Sequence, residues 1–199
     1  MIICLTGGLA SGKSTAVEHL ASKGAHVIDA DVLGHLTYDP GTKVHAAIIA
    51  EFGEAVRSEG DQVNRRALGE LVFGKPGELK KLTDIVWPEI RRMAEEEMTD
   101  VRNRNPEQVV VLEAAVLFEA GWQDIGDETW VISVTRETAI QRSMQRDGAS
   151  REAVEQRLDA QLSNDERANL ADRVISNDTD VPTLLLQLDL AWRSSTGCH

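Results

Sequence analysis

Apolar residues run along this chain in two rhythms. Short β-branched runs at residues 2–6, 26–30, 108–114, 130–134 and 173–176 read as strands. The third is a β-branched run typical of a strand buried on both faces. Between the runs lie segments with helical spacing. The order predicts an α/β fold: a five-stranded parallel sheet flanked by helices.

The second and third strands are separated by roughly 75 residues, far more than one crossover helix needs. That interval holds four predicted helices, at 42–52, 64–73, 76–87 and 88–103, with a break expected at Pro88. A shorter one is expected at 32–36. The domain reading is therefore a core of residues 1–31 and 104–199, with 32–103 inserted as a helical unit. Residues 138–163 are charged and helical, a candidate lid.

The first strand leads into Gly7 to Ser14, which match G-x-x-x-x-G-K-S/T, and a helical run follows. Strand, glycine-rich turn and helix in that order form a phosphate cradle. Backbone N–H groups of Gly8, Leu9, Ala10, Ser11, Gly12, Lys13, Ser14 and Thr15 would point at phosphate oxygens, helped by the helix dipole. Lys13 would reach the β- and γ-phosphates and the Ser14 hydroxyl would meet Mg²⁺.

Asp31 follows the second strand at the carboxyl edge of the sheet, where ligands of such sheets bind. It is a candidate base for an acceptor hydroxyl, or else the N-cap of the helix that follows. Strand alternation would put Asp29 on the same face, sharing a Mg²⁺ water or solvating the crevice. Glu113 ends a β-branched strand. It is either an outer ligand of Mg²⁺ or an ordinary charged strand end. Arg142 and Arg146 share a helix face. They are candidates to clamp phosphates, the alternative being surface ion pairs, which is the reading for Arg151 and Arg157.

Charge and composition narrow the classes. A net charge of −12 argues against a general nucleic-acid surface, so positive charge must be concentrated locally. No apolar run approaches a membrane span and no secretory leader is visible, so a cytoplasmic protein is expected. Cys4 reads as a core thiol and Cys198 as a terminal one. The histidines show no metal spacing. The four tryptophans read as core or pocket packing.

Residues 6–15 (TGGLASGKST), 27–31 (VIDAD), 64–68 (NRRAL), 72–73 (VF), 116–119 (VLFE), 145–147 (QRD) and 171–175 (ADRVI) occur in the order seen in the dephospho-CoA kinase family, which the chain resembles over nearly its whole length. Residues 82–88 and 113–122 look most like the kinase half of the bifunctional CoA synthases of animals. Trp87 stands where many bacterial members carry His, and Ala115 where they carry Pro. The resemblance implies a nucleoside-monophosphate-kinase-like fold with an acceptor-binding insertion and a lid. It implies transfer of the γ-phosphoryl of ATP, with Mg²⁺, to the ribose 3′-hydroxyl of dephospho-CoA. Asp31 would be the base, Lys13, Arg142 and Arg146 would act on the phosphates, and a phosphopantetheine adenylyltransferase would be a functional partner. Rival readings are another kinase of this fold, a GTP-binding switch, or an idle homologue. No Asn-Lys-x-Asp guanine motif is present, and intact Lys13, Ser14 and Asp31 argue against an idle protein.

Overall fold

The computed structural model describes residues 1–197; Cys198 and His199 lie outside them. The chain runs β1 (Ile2–Gly7), α1 (Lys13–Ser22), β2 (His26–Asp29), α2 (Ala30–Thr37), α3 (Lys43–Phe52), α4 (Arg65–Val72), α5 (Pro76–Arg104), β3 (Val110–Glu113), β4 (Glu128–Ser133), α6 (Arg136–Asp147), α7 (Arg151–Asp159), α8 (Asn164–Leu170), β5 (Arg173–Ser176) and α9 (Val181–Thr196). Single 3-10 turns occupy Glu54–Val56 and Glu59–Asp61.

The strands form one parallel sheet in the order β2-β3-β1-β4-β5. From β1 the chain goes out to β2 at one edge, returns to β3, then crosses to β4 and β5 on the other side. Winding therefore reverses around β1, and the carboxyl end of such a strand is where ligands of open α/β sheets bind. All six residues of β1 are buried, which fits the apolar run from Ile2 to Leu5. Ile3, Leu5, Val111, Trp130 and Ile132 of the sheet pack with Ala16 and Leu20 of α1 and with Leu184, Leu188 and Trp192 of α9. Trp122, Trp130 and Trp192 are buried, in line with packing roles. Strand β4 starts at Glu128, before the apolar run does, because Glu128 pairs in register with Ile3 and is held by Arg173.

Backbone contacts divide the chain into two compact units, Met1–Ile28 with the chain from Met98 onward, and Asp29–Glu97. The second consists of α2, α3, α4 and most of α5 around Leu33, Val44, Ile48, Val56, Leu68, Val72, Val86 and Ile90. Thr42 and Asn64 cap α3 and α4 by accepting from the backbone N–H of His45 and Ala67. Gly34 lets α2 approach α5: a β-carbon there would sit 3.1 Å from Cδ1 of Ile90.

The expected break at Pro88 does not occur, since α5 runs through it for 29 residues. Proline removes one i→i−4 bond. Here Val86, Ile90, Ala94, Met98 and Val101 are buried at helical spacing on both sides of it, so packing outweighs that loss. The charged segment at 138–163 divides instead at Gly148, whose φ of 65° ends α6, and Ser150 caps α7. Thr135 starts α6 earlier than predicted by capping Thr138.

Candidate active site

The phosphate cradle is built where β1 ends. Gly7 leaves the sheet, the turn through Ser11 closes with a Ser11 N–H bond to the Gly8 carbonyl at 3.2 Å, and α1 begins at Lys13. Gly12 has φ 92°, and a β-carbon on it would lie 2.2 Å from Nδ2 of Asn177. A β-carbon on Gly7 would lie 2.5 Å from the Ile132 carbonyl oxygen. Both positions therefore require glycine. Ala10, at φ 54°, carries the strain that glycine would relieve.

Several features fit this turn to an anion. The first turn of α1 contains no acidic residue, and no side chain caps it. Its amides and dipole thus favour negative charge. The hydroxyls of Thr6 and Ser11 are buried without a hydrogen-bond partner. Lys13 Nζ rests 3.1 Å from the Gly7 carbonyl, folded back along the loop. The Leu9 N–H donates to Oε1 of Gln161 at 3.2 Å, and Asn177 donates to the Ser11 carbonyl at 2.8 Å. The cradle therefore suits the phosphates of a nucleotide.

Ser14 is exposed in the first turn of α1, and Glu113 is the half-buried last residue of β3, paired in register with Leu5 of β1. An oxygen at each position, with phosphate and water, is the kind of set that holds Mg²⁺. Among the described residues no group of three or more His, Cys, Asp or Glu side chains could hold a metal ion by itself.

The two aspartates of the VIDAD segment occupy different positions at the start of α2. Oδ1 of Asp29 accepts from the N–H of Asp31 at 2.8 Å and of Val32 at 3.1 Å. Asp29, not Asp31, is the N-cap of α2. Strand alternation does not extend to Asp31, because the strand ends at Asp29 and the helix starts at Ala30. Asp31 is exposed in the first turn, and its carboxylate has no hydrogen-bond partner among the described residues.

The structure also separates the arginines. Arg142 is half-buried, pairs with no carboxylate among the described residues, and lines a recess of about 310 Å³ with Ala10, Gln145 and Arg146. Arg146 is held in a fork by Asp147, at 2.7 and 2.9 Å. That pairing raises the pKa of Arg146 and lowers that of Asp147. Arg151 meets Glu137 and Arg136 meets Asp159, ties between α6 and α7, and Arg151 also pairs with Glu155 within α7. Arg157 lies 3.8 Å from Asp147. His19 Nε2 pairs with Asp189, and His45 Nε2 with the Asp61 carbonyl.

Two residues that sequence reasoning missed face this cradle. Asn177 follows β5 directly, and its place at the carboxyl end of a parallel strand was the available signal. Arg167, on α8, is 2% exposed. It lines a cavity of about 470 Å³ with Gly8, Leu9, Thr135, Leu158 and Asn164. Burial lowers its pKa, opposed by Glu119 and Glu166. Its signal was faint, because its carboxylate partner Glu119 lies 48 positions away in sequence.

A parallel sheet wound both ways around β1, with this cradle at the end of that strand, defines a P-loop kinase fold. A family model described as dephospho-CoA kinase (CoaE) matches residues 1–183. The chain is 41% identical to the dephospho-CoA kinase of Symbiobacterium thermophilum, over 98% of this chain and 82% of that one. It is 43% identical to that of Geobacter sulfurreducens, over 96% of each. The chain belongs to the dephospho-CoA kinase family. Among solved structures, TT1252 from Thermus thermophilus superposes with a TM-score of 0.82 at 34% identity, covering 98% of this chain and 97% of that one. The dephospho-CoA kinase from Campylobacter jejuni gives 0.74 at 29% identity, covering 98% of each. Shikimate kinase from Aquifex aeolicus, at 0.51 and 18% identity over the full length of both, shares the fold. Among the described residues no helix is long and apolar enough to cross a membrane.

Proposed function

We propose that the chain is an ATP-dependent kinase that moves the γ-phosphoryl of ATP to the ribose 3′-hydroxyl of dephospho-CoA, giving CoA and ADP. The observation that carries this reading is family membership across residues 1–183 together with an intact cradle. The amides of Gly8 to Thr15 hold the phosphates, and Lys13 swings from Gly7 to the β- and γ-oxygens. Ser14 and Glu113 would hold Mg²⁺, which when bound neutralises phosphate charge. Asp31 orients the acceptor hydroxyl and takes its proton. The hydroxyl oxygen forms the new P–O bond, and the electrons of the broken bond stay on the β-phosphate of ADP. Arg142, joined by Arg146 once it leaves Asp147, balances charge on the group in transfer.

Residues 32–103 are the proposed acceptor-binding part, and 138–163 the lid that excludes water. The proposed compartment is the cytoplasm, with a phosphopantetheine adenylyltransferase supplying the acceptor. An acceptor panel tests the reading: ADP formation with dephospho-CoA, nucleoside monophosphates and shikimate. Turnover with dephospho-CoA above all others is expected. Preference for another acceptor would keep the fold and overturn the substrate.

A further inference from the structure

Arg167 is a buried cation that the protein compensates poorly. Its Nη1 donates to the Leu162 carbonyl, its Nη2 stands 3.5 Å from Oε1 of Glu119, and its Nε–H is buried with no partner. Burying a guanidinium with one long carboxylate contact and an unmet N–H is unfavourable unless a further anion arrives. The guanidinium also lies against the cradle, with Nη1 3.3 Å from where a β-carbon on Gly8 would be. Lys13, the side chain that reaches β- and γ-phosphates, rests on the neighbouring Gly7 carbonyl. The Gly7–Gly8 end of the loop is therefore the γ end of the phosphate chain.

We propose that Arg167 is a catalytic residue whose guanidinium donates to oxygens of the γ-phosphoryl group, stabilising the charge that develops on it during transfer. A planar fork with an uncommitted Nε–H suits phosphate oxygens better than an ammonium does. The proposal rests on the cradle holding ATP phosphates, and it is independent of which acceptor is used.

The test compares wild-type protein with Arg167→Lys, which keeps the charge and loses the fork. Calorimetry gives Kd for Mg²⁺–ADP and for the β,γ-methylene analogue of ATP, which differ in the γ-phosphate. The variant should bind ADP within about threefold of wild type and the ATP analogue about tenfold or more weakly. Its kcat should fall about 10²-fold or more, with KM for dephospho-CoA nearly unchanged. Parallel weakening of both nucleotides would mark Arg167 as a structural tie to Glu119, and unchanged binding of both would overturn the proposal equally. Should the variant not fold, the Nε–H resonance of Arg167 in wild-type protein decides. It should move with the ATP analogue and not with ADP; an equal response, or none, overturns the proposal. If no dephospho-CoA turnover is found, the acceptor reading fails while the nucleotide comparison still judges Arg167.

Discussion

Asn177 and Gly12 hold the last turn of the phosphate loop between them. The Asn177 amide fills the space a Gly12 side chain would need and donates to the Ser11 carbonyl at 2.8 Å. Gly12→Ala should abolish nucleotide binding, since the new methyl meets both a positive φ and that amide. Asn177→Ala leaves a buried carbonyl unpaired. It should lower stability by about 1–3 kcal/mol and weaken ADP binding. Thermal melts with and without ADP check both; an unchanged ADP-induced shift in Gly12→Ala would contradict the fit.

Asp29 and Asp31 should separate cleanly in kinetics. Asp31→Asn should bind ADP normally and lose about 10²-fold or more in kcat, the scale of removing a general base. Asp29→Ala should lower stability by about 1 kcal/mol, as loss of a helix cap does. Steady-state rates and melting curves read the two effects, and near-wild-type turnover in Asp31→Asn would remove it from the mechanism.

Arg142 and Arg146 lie one helical turn apart with different commitments. Arg142 pairs with no carboxylate among the described residues, whereas Arg146 must first leave Asp147. Arg142→Ala should therefore reduce kcat/KM by about 10²-fold, and Arg146→Ala by clearly less. The reverse ranking would assign the phosphates to Arg146.

Acid sensitivity should be set in part by Glu128. Hydrogen bonds from Arg173 first, then Trp130 and Ser195, bring its pKa from 4.5 down to about 2. A depressed carboxylate pKa stabilises the fold above the unfolded value and loses that contribution as pH falls toward the folded one. Glu128→Gln should lower stability near neutrality by on the order of 2 kcal/mol, and the gap should close between pH 4.5 and about 2. Urea titrations at several pH values measure it; a gap that persists at pH 2 would point to packing instead.

Much of this architecture could be read from local pattern. The phosphate loop, the five strands and the last strand's bounds follow from apolar runs and glycine spacing, all short-range signals. What escaped is what distance in sequence hides. The Asn177–Ser11 bond spans 166 positions and Arg167–Glu119 spans 48, so neither leaves a spacing to notice. Pro88 misled because a local rule met a helix whose packing on both sides outweighs one lost bond. The face expected for Asp29 and Asp31 did not follow, because the strand ends at Asp29 and alternation does not reach Asp31 two residues on.

Transfer of label tests the central claim most directly. With γ-³²P-ATP, Mg²⁺ and dephospho-CoA, the protein should place label in a product that co-migrates with CoA and yields it to a 3′-nucleotidase. Label appearing only as inorganic phosphate, at the same rate with and without dephospho-CoA, would contradict the account.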